Sequence, residues 1–234
     1  MLLLCVSDIQ GNLDALRAVL ATAERRSFHK LLVAGDIVFP GAEPLETWRR
    51  LSAAGAVMVQ GVSDKAVATL DLANLTPRSE QDKRMLDRLK TVRGELGDLV
   101  LERIKRLPTH QRIPLEDGGE LVLVHGSPLH PDEALSFDMS DEEIDALLGD
   151  DCGDVVVCGM SHTPFYREVG GVHVINVGSI GEAPDGLKSP VSFSEEGVYP
   201  QVAHATWIES GPQGIQVEQI VVPLDPPTKL RLAR

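Results

Sequence analysis

Six short apolar runs in this chain end in polar residues set beside a glycine. In order, the polar residues are Asp8 with Gln10, Asp36, Asp64, His125, His162 and Asn176. Each has a modest reading on its own. A carboxylate between a strand and a helix caps the helix or shapes a turn as readily as it binds anything. A buried histidine ordinarily finds a polar partner inside the protein. Six such features in series are harder to account for as caps. Carboxylates, imidazoles and an amide gathered at one sheet edge form a hard-to-borderline ligand set, suited to Mn, Fe, Zn or Mg.

For these residues to meet, the runs before them must lie side by side. Leu2–Val6 is too short to span a membrane, and a turn signal bounds it. That suits a strand covered on both faces. Leu13, Leu16, Val19, Leu20 and Ala23 then recur at helical spacing and predict a helix over about residues 13–26. Asn12 closes the loop between them. Residues 30–34 run into Gly35-Asp36, and residues 56–60 run into Gly61-Val62-Ser63-Asp64. Between them Pro44 opens a helix that reaches about Ala54, proline being tolerated in a first turn. Three strand–loop–helix units predict a parallel half-sheet, whose carboxyl ends are where ligands bind.

Residues from about 65 to 107 read as helical and highly charged. Met85, Leu86, Leu89 and Val92, then Leu96, Leu99, Val100 and Ile104, mark two amphipathic segments. Their charges suit a solvated face, and the segment's place in the order suggests a cap over the site. Asp117-Gly118-Gly119 signals a hairpin, Ser140 with Glu143 a capping box, Val155–Cys158 a buried strand, and Gly170-Gly171 a second hairpin. Two more strands are expected between about Ala203 and Val222. Residues 184–200 are the loopiest stretch.

The 234 residues are 43% hydrophobic, enough for one large domain with a sizeable core. A single domain over residues 1–234 is expected, with the 65–107 segment as a helical excursion. No stretch reaches membrane-spanning length. The first apolar run has no basic segment before it and no small-residue cleavage site, so a signal peptide is not expected. Cys5, Cys152 and Cys158 form no C-x-x-C spacing and leave an odd count, which predicts free thiols in a reducing, cytoplasmic setting. The net charge of −13 opposes general binding to a nucleic-acid backbone. A small phosphate-bearing ligand would need a local cation to overcome that field. Nothing in the sequence singles out a protein partner.

Order and spacing together resemble the calcineurin-like metallophosphoesterase superfamily, in particular its compact bacterial and archaeal phosphodiesterase branch. That family carries D-x-H-G-N, G-D-x-x-x-x-G, G-N-H-D/E, V-H-G, G-H-T-H and N-P-G-S. Here these stand as Asp8-Ile9-Gln10-Gly11-Asn12, Gly35-Asp36 with Gly41, Gly61-Val62-Ser63-Asp64, Val124-His125-Gly126, Gly159-Met160-Ser161-His162 and Asn176-Val177-Gly178-Ser179. The resemblance implies an α/β fold, a four-layer α-β-β-α sandwich of two mixed sheets. It also implies a two-metal site bridged by Asp36. Asp8, Gln10, Asp36 and His162 would surround one ion. Asp36, Val62, His125 and Met160 would surround the other, with residue 63 as the acid for the leaving group.

Four positions depart from that pattern. Gln10 stands for a histidine, and its amide oxygen still binds a hard cation, more weakly. Val62 stands for an asparagine and cannot ligate. Met160 offers a soft thioether in place of an imidazole. Ser63 does not titrate near neutral pH and cannot serve as the general acid. One divalent ion at most is therefore expected, at Asp8, Gln10, Asp36 and His162, since the second position keeps only Asp36 and His125; weak phosphodi- or monoester hydrolysis goes with it. The other reading is a binding or scaffold protein on the same fold. Lys65 could supply a cation beside the weakened half, or be an ordinary solvated residue at a helix start.

Overall fold

The structure is a computed structural model that describes residues 1–184 and 201–224. Leu2–Val6 (β1) and Lys30–Val33 (β2) pair in parallel, and Val57–Met58 (β3) continues beyond β2. Val202–Gly211 (β9) runs antiparallel on the other side of β1, with Gly214–Pro223 (β10) at the edge. The second sheet has the order β4-β5-β6-β8-β7. It is built from His110–Pro114 (β4), Glu120–Val124 (β5), Val155–Cys158 (β6), Phe165–Val169 (β7) and Val172–Asn176 (β8). Its three inner strands are parallel, and β4 and β7 are antiparallel edges.

Alternation along the strands builds the layers. Leu3, Cys5, Leu32 and Ala34 face the second sheet, where they meet Leu121, Leu123, Val155 and Val157. Leu4, Val6, Leu31 and Val33 face outward, beneath Leu13–Ala23 (α1) and Pro44–Ala53 (α2). Val156, Cys158 and Val174 point the opposite way, toward Asp141–Leu148 (α5). The architecture is α-β-β-α, and β1 is covered on both faces as its unbroken apolar run predicts. Among the described residues, no helix is long and apolar enough to cross a membrane.

The hairpin at Gly118, the capping box of Ser140 with Glu143, and the last two strands stand where the sequence places them. Three boundaries differ. The first helix stops at Ala23. β3 is two residues rather than five, because Gln60 donates its N–H to Pro108 O and so leaves the ladder. The next helix begins at Val62, inside the third motif (α3, Val62–Thr69). Of the loop reading for residues 184–200, residues 185–200 lie outside the described residues.

The two amphipathic segments form Glu80–Lys105 (α4), broken by Gly97 at φ 70. Leu89, Val92, Leu96 and Ile104 enter the core beneath the outer face of the first sheet. The excursion's apolar face therefore builds the outer helical layer, not a cover over the strand ends. One residue reaches back toward them. The buried Arg88 donates from Nε to Pro40 O at 2.7 Å, and from a terminal nitrogen to Gly41 O. Those carbonyls belong to the loop after β2. Replacing Arg88 with alanine strands both, so a loss of about 2 kcal/mol is expected. Thermal unfolding should fall by about 5 °C in a chain of this size. An unchanged midpoint would mean that Arg88 does not hold the loop.

Candidate metal centre

The carboxyl ends of β1, β2 and β6 turn with an unusual backbone. Among the described residues, five non-glycine residues have positive φ: Asp8 (50°), Gln10 (55°), Asp36 (51°), Met160 (66°) and His162 (59°). All five lie in the motifs singled out from the sequence. Left-handed backbone costs a side-chain-bearing residue about 1–3 kcal/mol unless its surroundings enforce it. Here bonds between loops enforce it. Asp8 and Gln10 donate their N–H groups to Gly35 O and Asp36 O at 3.0 and 2.9 Å, and Gly159 donates to His125 O at 3.0 Å.

Two glycines permit the close approach. A Cβ at Gly61 would stand 2.1 Å from Asp36 Oδ1, and one at Gly159 would stand 1.9 Å from Ser7 Oγ. With no side chain between them, Ser63 N–H donates to Asp36 Oδ1 at 2.8 Å and Met160 N–H to Asp8 Oδ2 at 3.0 Å. His125 contacts Ala34 O through Nδ1 at 2.6 Å, which turns Nε2 toward Asp36 Oδ1 at 3.5 Å.

Asp8, Asp36 and His125 thereby bring one ligand atom each within 4.8 Å of one another. Asp8 belongs to the first expected metal position, His125 to the second and Asp36 to both, so the compact set differs from the expected quartet of Asp8, Gln10, Asp36 and His162. Gln10 Oε1 and His125 Nε2 are buried and have no hydrogen-bond partner, and buried Asp8 Oδ1 has only His162 Nε2 close by. Leaving lone pairs buried and unpaired costs about 1–3 kcal/mol apiece, and a divalent cation satisfies oxygen and imidazole donors together. The residues fit such an ion. His162 stands beside the triad, with Nε2 3.2 Å from Asp8 Oδ1.

The charges are strongly coupled. Burial works to raise the Asp8 carboxyl, but His162 and His125 outweigh it and hold it below its usual range. Burial raises Asp36, with His125 opposing and Asp8 reinforcing the rise. Asp64 is pushed up to about 7 by burial and by the Asp36 charge, against the N–H groups of Gly61 and Ile37. Burial works to lower both histidines, but the carboxylates facing them raise them above the ordinary value.

The remaining expected site residues take supporting places. Asn12 caps α1 by accepting from Ala15 N–H at 3.1 Å. Asp64 accepts from Ile37 N–H and Gly61 N–H at 2.9 and 3.1 Å, and ties two of the loops together. Asn176 donates to Gly159 O at 2.6 Å and accepts from Gly178 N–H at 2.9 Å. Val62 is 43% exposed, so it lines the opening without offering a donor. Ser63 Oγ is buried, with the Asp36 carboxylate beside it. Lys65 is exposed on α3. Sequence reasoning missed Glu182, whose Oε2 lies 3.4 Å from His162 Nδ1. Its one legible signal is an acidic residue in an otherwise small and apolar loop, three places after Ser179.

The model of the calcineurin-like phosphoesterase superfamily domain matches residues 1–194. An uncharacterized protein of Methanocaldococcus jannaschii is 28% identical over 210 residues, covering 78% of this chain and 77% of that one. A hypothetical protein from Pyrococcus horikoshii shares the fold with a TM-score of 0.76 at 19% identity, over 96% of this chain and 89% of that chain. A metallophosphoesterase from Sphaerobacter thermophilus does so with a TM-score of 0.69 at 22% identity, over 94% and 88%.

The electrostatics give a testable sign. His162 is raised in the folded protein, so its stabilisation is full below the unfolded value of about 6.5 and is lost as pH rises through the folded value. His204 is lowered by burial and works in the opposite sense. The comparison therefore needs a variant. In chelator, the stability difference between wild type and His162→Asn should be larger at pH 6 than at pH 8.5. Denaturant titration showing equal or reversed differences would contradict the pairing with Asp8.

Proposed function

The chain belongs to the calcineurin-like phosphoesterase superfamily, and on that premise we propose that it is a slow phosphoester hydrolase working with one divalent cation. Asp8, Asp36 and His125 hold the ion, with the Gln10 amide oxygen and His162 Nε2 beside them. The observation that carries this reading is the triad within 4.8 Å, in which His125 Nε2 is buried and unpaired beside the likewise unpaired Gln10 Oε1. A cation there supplies Lewis-acid stabilisation of charge on a phosphoryl group.

The chain's own residues set the limits of the chemistry. Asp36 is oriented by Ser63 N–H, and Asp8 by Met160 N–H. Ser63 Oγ is buried beside the Asp36 carboxylate, which it helps to hold as an anion. It cannot deliver a proton near neutral pH as an imidazolium does. The leaving group must therefore depart as an anion, which favours aryl esters over alkyl esters. Val62 and Met160 bring apolar surface where a second ion's donors belong, so charge on the departing oxygen meets no second clamp.

Those same two residues support a second reading, a binding protein that retains the fold without turnover. The two readings separate on one substrate. With manganese, slow turnover of an aryl phosphodiester is expected, and Asp36→Asn should lower it by about 100-fold, roughly 2.7 kcal/mol of barrier. Turnover indistinguishable from that of the variant would favour the binding protein. Restoring the family pattern with Gln10→His, Val62→Asn, Ser63→His and Met160→His together should raise turnover at least about tenfold, ~1.4 kcal/mol. It should also extend activity to alkyl esters.

A further inference from the structure

We propose that Glu182 is a positioning residue of the centre, accepting from His162 Nδ1–H and so aiming the Nε2 lone pair toward the cation beside Asp8. This rests on the metal reading above. A neutral imidazole has one donor and one acceptor nitrogen, and which is which follows from the hydrogen bond made at the other side. His162 lies between two carboxylates, with Nε2 3.2 Å from Asp8 Oδ1 and Nδ1 3.4 Å from Glu182 Oε2. An acceptor at Nδ1 leaves Nε2 free to ligate, as carboxylates behind metal-bound histidines do.

The loop that carries Glu182 is fixed to the residue His162 faces. Gly181 N–H donates to Asp8 O at 2.8 Å. Ser179 Oγ donates to the same carbonyl at 3.1 Å and accepts from Glu182 N–H at 2.8 Å. The loop also lies flat against Gln10, because a Cβ at Gly181 would stand 3.0 Å from Gln10 Oε1. Glu182 is thus registered against Asp8, Gln10 and His162 at once. Its side chain is 18% exposed and that of His162 21%, so the contact sits at the rim and is not locked in the core. With Gln10 and Met160 standing where imidazoles belong, the orientation of His162 carries a larger share of the affinity than it would in a fully ligated centre.

The test is calorimetric titration of the chelator-stripped full chain with Zn²⁺, on wild type, Glu182→Leu and Glu182→Gln. Leucine removes the acceptor, and a 10–100-fold weaker affinity is expected. Glutamine keeps an oxygen acceptor without the charge and should recover most of the loss. In Zn²⁺-loaded wild type, ring-nitrogen NMR should place the His162 proton on Nδ1, and Glu182→Leu should abolish that fixed assignment. Leucine binding as tightly as wild type would overturn the role of Glu182. Glutamine binding as weakly as leucine would also overturn it, by reducing the effect to bulk charge. Wild type that binds no Zn²⁺ would overturn the metal reading itself, and this inference with it.

Discussion

Asp36 and Gly61 are packed so closely that no side chain fits between them, and the centre depends on that contact. A Cβ at 61 would lie 2.1 Å from the Asp36 carboxylate. Without one, the loop after β2 and the first turn of α3 exchange carboxylates. Asp36 accepts from Ser63 N–H, and Asp64 accepts from Ile37 N–H. Asp36 therefore caps a helix as well as facing His125, and the positive end of α3 helps to hold its charge. Capping and facing the candidate centre, alternatives when the residue is viewed alone, both fall on Asp36 Oδ1. The clamp also explains why β3 is so short, since the chain must leave the ladder early to bring Gly61 into place.

That arrangement brings three acids together under little or no solvent. Asp8 and Asp64 are fully buried, and Asp36 is largely so. Like charges at this separation in a low-dielectric setting oppose one another strongly. His125 and His162 compensate part of that repulsion, which is why both are raised while Asp8 is lowered. A divalent cation would compensate more directly, and would satisfy the unpaired atoms of Gln10 and His125 in the same step. A protein with no use for a cation would do better with apolar or amide residues at these positions. The departures at Val62 and Met160 have that character, and the retained acids do not.

Much of this was legible in the sequence. Unbroken apolar runs named the buried strands, and glycine beside a polar residue named the turns at their ends. The two segments of α4 keep apolar residues at helical spacing on both sides of Gly97, where the positive φ breaks the helix. Register and long-range contact were not readable. No local pattern says that Asp8, Asp36 and His125 make the compact set while His162 stands aside, because that follows from the packing of two sheets. Met160 shows the difference well. Its side chain departs from the family pattern, yet its backbone keeps the left-handed turn at φ 66° and donates to Asp8, so the frame survives where the ligand does not. Glu182 carries only a weak sequence signal for a related reason, since its partner His162 lies on a different loop.

The central claim is that the centre holds one cation and not two. Crystals grown with manganese, measured at and away from its absorption edge, test this most directly. One anomalous peak per chain is predicted, within bonding distance of Asp8, Asp36 and His125. Two peaks of comparable height, or none at that position under saturating manganese, would contradict it.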